Sequence, residues 1–177
     1  MMRVREADTH DAARIAHIHV ESWRVAYRGR MPDAFLAALD EERRAEFWRT
    51  RLAESRGQVL VSELSGEVVG FCELIPTRDG DADPRRIGEI VAIYIHPEHW
   101  RKGAGQALCR RALDSARSLG FSAVTLWVLE TNAQARGFYE ILGFRRDGAR
   151  KKEKLTADFE IAEIRYRLEL PVRGVSG

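Results

Sequence analysis

No stretch of this 177-residue chain approaches the roughly 18 consecutive apolar residues that a membrane-spanning helix needs. The opening residues, Met1-Met2-Arg3-Val4-Arg5-Glu6, lack the apolar core of a signal peptide. Cysteine is scarce. Cys72 and Cys109 are the only two, far apart and in no C-x-x-C pair, which excludes a disulfide framework and fits reduced thiols. Charge of one sign is lacking too: 29 basic against 27 acidic residues leave +2, so no nucleic-acid or polyanion partner is implied. There is no internal repeat, low-complexity stretch or linker, only a short polar tail after Pro171. The expectation is one soluble, cytoplasmic domain spanning residues 1–177, long enough to bury about 70% of its unfolded surface, with no membrane partner.

What the chain does have is concentrated in its middle. Ile90-Val91-Ala92-Ile93-Tyr94-Ile95 is unbroken, apolar and rich in β-branched residues, and reads as a buried strand. Pro97 stops it. Then comes His99-Trp100-Arg101-Lys102-Gly103-Ala104-Gly105-Gln106, and after it Leu108, Ala112, Leu113, Ala116 and Leu119 recur at helical spacing. A strand therefore feeds a basic, glycine-containing loop that opens into a helix. The first amides of a helix have no internal partner and the helix dipole is positive there. Glycine keeps side chains out of the way, and Arg101 and Lys102 add charge. The pattern suits an anion, a phosphate or pyrophosphate above all. A plain solvated turn is the competing reading. A P-loop would need Gly-Lys-Ser/Thr where Ala104-Gly105-Gln106 stands, and a Rossmann fingerprint a third glycine where Leu108 stands.

The loop resembles Q/R-x-x-G-x-G/A, the acetyl-CoA pyrophosphate loop of the GNAT superfamily of N-acetyltransferases, with Trp100 in place of the usual Gln or Arg. Asn132-Ala133-Gln134-Ala135-Arg136-Gly137-Phe138-Tyr139-Glu140-Ile141-Leu142-Gly143-Phe144 is similar to the same family's N-x-x-A-x-x-F-Y-x-x-x-G-F signature. The resemblance implies an α/β fold: a central, mostly antiparallel mixed sheet flanked by about four helices. It implies acetyl transfer from acetyl-CoA, a co-substrate, to a primary amine of a small molecule through a ternary complex, without a metal. The backbone of Ile93, Tyr94 and Ile95 would pair with the pantetheine arm. Arg101, Lys102, Gly103, Ala104, Gly105 and Gln106 would hold the pyrophosphate, with Asn132, Ala135 and Phe138 further along the cofactor. Tyr139 stands at the family's general-acid position, with a packed ring as its alternative. Many members of the family are homodimers, so a homodimer is an open expectation.

Glu89 is the odd residue at the head of the central strand. A carboxylate there is partly desolvated, a setting that suits a proton acceptor, and the resemblance puts it at the place of the catalytic glutamate in histone-acetylating members. A charge facing water at the strand end is the alternative. On the N-terminal side, Met2–Ala7 reads as a weak edge strand, and Asp8 or Thr9 caps a helix to about Tyr27. His17 and His19 lie two apart and so on different helix faces, the wrong spacing for a metal. A second helix starts at Met31-Pro32-Asp33 and breaks near Asp40. The connection between the two walls the acceptor pocket in the family, which makes Trp23, Tyr27 and Arg28 candidate substrate contacts; a core role is the alternative for the two aromatics. Residues 58–64 and 68–75 read as a hairpin, and 76–86 as a mobile polar loop. Strands 144–152 and 159–170 close the chain, with Arg150-Lys151-Lys152-Glu153-Lys154 as a solvated turn. Two other function classes fit the same loops: a protein N-terminal or lysine acetyltransferase, and a non-catalytic acyl-CoA sensor. A nucleotide-binding protein is a third.

Overall fold

Asp8 opens the first helical stretch through a capping box. Its carboxylate accepts from the amide of His10 at 2.8 Å, while Asp11 reaches back to the Asp8 amide at 2.9 Å. The computed structural model describes residues 1–171, so the polar tail beyond Pro171 lies outside the described residues. Its elements are β1 (Met2–Glu6), α1 (Ala12–Ala26), α2 (Asp33–Ala37), α3 (Glu41–Glu54), β2 (Gln58–Leu64), β3 (Glu67–Pro76), β4 (Ile87–Ile95), α4 (Ala104–Ser118), β5 (Ala123–Leu129), α5 (Ala133–Ile141), β6 (Arg145–Thr156) and β7 (Phe159–Glu169). The strands form one mixed sheet in the order β1-β2-β3-β4-β5-β7-β6, with β1 at an edge as its pattern indicates. The second helix breaks at Asp40, whose side chain accepts from the Arg43 amide at 3.0 Å and starts α3 afresh. That break turns the expected four helices into five.

The chain divides into two compact units: Met1–Leu74 with Ala92–Ala112, and Ile75–Val91 with the chain from Leu113 onward. In the first, α1 turns Ala12, Ile15, Ala16 and Ile18 inward against Ala45 and Trp48 of α3 and against Val59, Val61, Val68 and Phe71 of β2 and β3. Full burial of one such large apolar side chain contributes about 1.5–3 kcal/mol. β1, β2 and β3 are antiparallel. Gly70 in β3 has a steric reason: a Cβ there would overlap Ile95 Cδ1 and lie 3.1 Å from the Tyr94 carbonyl oxygen. Any side chain would force Ile95 and Ser62 to other rotamers and press on the Tyr94 carbonyl.

In the second unit β5 is buried along most of its length and pairs antiparallel with β7, which pairs in turn with β6. Arg150–Lys154 is not the turn its charge suggested. These residues are strand, opposite Ile164, Glu163, Ala162, Ile161 and Glu160, and the turn falls after Thr156. Ion pairs of Lys151 with Glu163 at 3.4 Å and Lys152 with Glu160 at 3.1 Å let a basic run lie in a ladder. The polar loop 76–86 also departs from expectation. Thr77 donates to the Ile87 carbonyl at 2.9 Å, the Trp127 indole to Asp79 at 3.1 Å, and Arg165 clamps Asp79 at 3.0 Å, Asp81 at 2.7 Å and Asp147 at 2.6 Å. Among the described residues no helix is long and apolar enough to cross a membrane. Both thiols are free and buried, and burial pushes Cys109 up to about 12, so it stays protonated and inert.

Candidate active site

The strand-loop-helix unit forms as its residues dictate. His96 donates its amide to Val69 at 2.8 Å, a single 3-10 turn follows at Pro97–His99, and Arg101 (φ 61°) and Gly103 (φ 86°) turn the chain left-handed into α4. A non-glycine residue with positive φ is strained, so Arg101 holds a costly conformation in an exposed loop. The first backbone bond into α4 runs from the Ala107 amide to the Gly103 carbonyl at 3.0 Å, which leaves the amides of Ala104, Gly105 and Gln106 ahead of the helical ladder. Arg101, Lys102, Gly103 and Gln106 are exposed around them, while Ala104 is buried. Trp100 acts as a strut: its indole donates to the Ile95 carbonyl at 2.7 Å and ties the loop to the strand end.

Strand geometry fixes which backbone groups of β4 face where. Because His96 bonds Val69, alternation turns the backbone groups of Ile93 and Ile95 toward the other edge. The carbonyl of Ile95 receives Ser22 Oγ at 2.9 Å as well as Trp100.

Tyr94 belongs to an aromatic cluster in the same unit. It stacks on His19 at 5.1 Å between ring centroids and meets Trp23 edge-on at 6.2 Å; Trp23 in turn meets Tyr27 edge-on at 5.1 Å. Trp23 and Tyr27 are therefore half-buried and clustered, not isolated core residues. Arg28 stands apart from this cluster. It is exposed and lines an open recess of about 200 Å³ with Arg24, Asp33, Leu36 and Ala37. His19, weighed in the sequence only as a metal ligand, is buried in this cluster. Burial, followed by the charge of Arg44, lowers its pKa to about 3, so it is a neutral ring at physiological pH. Its place on the buried stripe of α1, next to Ile15 and Ile18, was the available signal.

In the second unit Glu89 is 2% exposed. Arg78 holds it with three hydrogen bonds: the backbone amide to Oε2 at 3.0 Å, Nε to Oε2 at 3.3 Å and Nη2 to Oε1 at 2.8 Å. Glu89 is thus not a strand-end charge facing water, nor a lone buried carboxyl. The pairing of β4 with β5 covers Ile87, Gly88 and Glu89 against Ala123, Val124 and Thr125, so Glu89 sits at the last parallel pair. On α5, Asn132 caps the helix by accepting from the Ala135 amide at 3.1 Å. Ala135 and Phe138 are half-buried, and Tyr139 is 9% exposed, its ring edge-on to Phe138 at 5.2 Å and to Phe144 at 5.9 Å. Gly143 (φ 99°) ends the helix as its motif position implies.

Residues 13–144 match the acetyltransferase (GNAT) family. YuaI, an uncharacterised N-acetyltransferase of Bacillus subtilis, is 33% identical over 168 residues, covering 94% of this chain and 90% of its own. The PaiA N-acetyltransferase of Thermoplasma acidophilum, solved in complex with coenzyme A, shares the fold with a TM-score of 0.75 at 19% identity, covering 96% of this chain and 99% of that one. YncA of Salmonella typhimurium, solved with its cofactor acetyl-CoA, gives a TM-score of 0.72 at 25% identity over 100% of this chain and 98% of its own.

Proposed function

The chain belongs to the GNAT acetyltransferase family, and we propose that, as a single N-acetyltransferase domain, it transfers the acetyl group of acetyl-CoA to a primary amine of a small molecule. The observation that carries the cofactor part is the exposed left-handed turn at Arg101 and Gly103, which delivers the first amides of α4 beside two cations. Amides at a helix start, with positive charge nearby, favour a diphosphate. Acetyl-CoA carries one, and the similar chain YncA was solved with it. The outward edge at Ile93 and Ile95 suits an extended pantetheine arm, with Tyr94 between them and Asn132, Ala135 and Phe138 as further contacts. Lys102 to Gln106 hold the pyrophosphate.

Acetyl transfer needs two proton movements. The acceptor is an ammonium ion near neutral pH and must lose a proton before its lone pair attacks the thioester carbonyl. Glu89 is the proposed base, directly or through water. Its three bonds from Arg78 orient the carboxylate, and the guanidinium, with 64% of its side chain exposed, must give way for Glu89 to take a proton. The departing thiolate takes a proton, for which Tyr139 is the proposed donor. Trp23 and Tyr27, aromatic faces in a half-buried cluster, suit a cationic amine, and Arg28 faces the recess beside them in sequence.

An acetyl-transfer screen against a panel of amines, reading the free thiol of released coenzyme A, tests the reading. Turnover with a small amine is expected. Turnover only with peptide N-termini or lysines would move the acceptor to proteins, and binding of acetyl-CoA with no turnover would leave a sensor. Glu89→Gln should lower turnover by about a hundredfold or more at pH 7, with partial recovery at higher pH as more acceptor arrives neutral.

A further inference from the structure

We infer that the turn closing β4 is a binding site for a divalent transition-metal ion, of which zinc is the best fit. The helix histidines lack ligand spacing, but His96, Glu98 and His99 each present one ligand atom, and the three lie within 4.8 Å of one another. Two imidazoles and a carboxylate form a donor set that takes zinc with a fourth position left for water. Tetrahedral zinc with bonds of about 2.0–2.2 Å needs ligand atoms about 3.4 Å apart. Side-chain rotations must bring the three donors in from up to 4.8 Å, and Glu98 is exposed at the surface of the turn.

The backbone that carries the three is already fixed. The His96 amide is bonded to Val69 at 2.8 Å, the His99 amide returns to the His96 carbonyl at 2.8 Å, and Trp100 is anchored on Ile95. The ring of His96 is held from outside by His17, stacked at 5.4 Å with 19° between the planes; His17 is itself held by Glu41 at 3.1 Å. His99 has a nitrogen to spare. Its Nδ1 is buried and has no hydrogen-bond partner, although buried polar atoms normally find one. Arg14, His17 and His99 act against positive charge at His96 and Glu98 acts for it; Arg14 is itself paired with Glu67 and the Val68 carbonyl. The ion would brace the turn that launches Arg101–Gly105, with no part in bond making.

The test uses the tag-free chain, stripped with a chelator, titrated with zinc or cobalt(II) alone by calorimetry and followed by melting. No coenzyme is present, so the result is independent of the acetyl-transfer reading. One ion per chain should bind with a dissociation constant of micromolar order, raise the melting temperature, and give cobalt the intense visible bands of four-coordination. Glu98→Gln, which touches no packed group, and His99→Ala should each weaken binding at least tenfold, whereas His10→Ala, at an exposed histidine paired with Asp8, should change nothing. Absence of saturable binding below about 1 mM would overturn the site, as would affinity that survives both Glu98→Gln and His99→Ala.

Discussion

His19 gives this protein a stability that depends on pH in a calculable way. The ring is 8% exposed among Trp23, Trp48, Phe71 and Tyr94, and burial lowers its pKa from 6.5 to about 3. A lowered histidine pKa means that the unfolded chain takes up the proton first. The contribution is therefore complete above pH 6.5 and is lost as pH falls from there toward 3. Each pH unit in that window is worth about 1.4 kcal/mol per proton. Going from pH 7 to pH 5 crosses about one and a half units of it, so His19 alone should remove about 2 kcal/mol. Urea unfolding at both pH values, on wild type and on His19→Gln, isolates this amount. The variant loses contacts at both pH values, but the difference between the two should shrink by about 2 kcal/mol. His96, which burial also lowers, is present in both proteins and cancels. Equal pH dependence in wild type and variant would refute the reasoning and mean that the folded protein admits the proton.

Three further outcomes are expected. Gly105→Val should abolish most of the melting shift produced by acetyl-CoA, a shift worth about 2.7 kcal/mol when the ligand is a hundredfold above its dissociation constant; no shift in the wild type would remove the cofactor from the proposal. Tyr139→Phe keeps the ring against Phe138 and Phe144, so acetyl-CoA affinity should hold while turnover falls about tenfold or more; unchanged turnover would make the ring structural. Arg165→Ala removes the partner that Asp79, Asp81 and Asp147 share, though Trp127 still donates to Asp79, and should cost about 1.5 kcal/mol, read as a lower urea midpoint at constant slope. A loss under about 0.5 kcal/mol would mean that the clamp is ornamental.

The elements whose cause is local were legible in the sequence. Pro97, the glycines of the loop, the Asp40 break and the Asn132 cap each act within a few residues, and the structure has them where the pattern placed them. What was hidden depends on partners far along the chain. Arg78 is eleven positions from Glu89, and Arg165 is more than eighty from Asp79 and Asp81. No periodicity announces such pairs. Gly70 looks like an ordinary weak strand residue until the side chain of Ile95 is seen lying over it. The basic run of β6 misled for a related reason: at a sheet edge both faces are solvated, so the alternation that betrays a strand is absent.

The double hydrogen bond at Ile95 has a consequence for how any cofactor can be read by this strand. A carbonyl oxygen has two lone pairs, and at Ile95 one faces a hydroxyl from α1 and the other the indole of Trp100. That acceptor is spoken for. An extended arm lying along the edge must place its own donors opposite Ile93, and from Ile95 it can draw only on the N–H. The register of such an arm would thereby be limited, because sliding it by two residues, the next step that keeps it on this edge, would set a donor against an oxygen with nothing left to give. On the proposed cofactor placement, the tryptophan standing where the family usually has glutamine or arginine would work as a stop that tells the ligand where along the strand to begin.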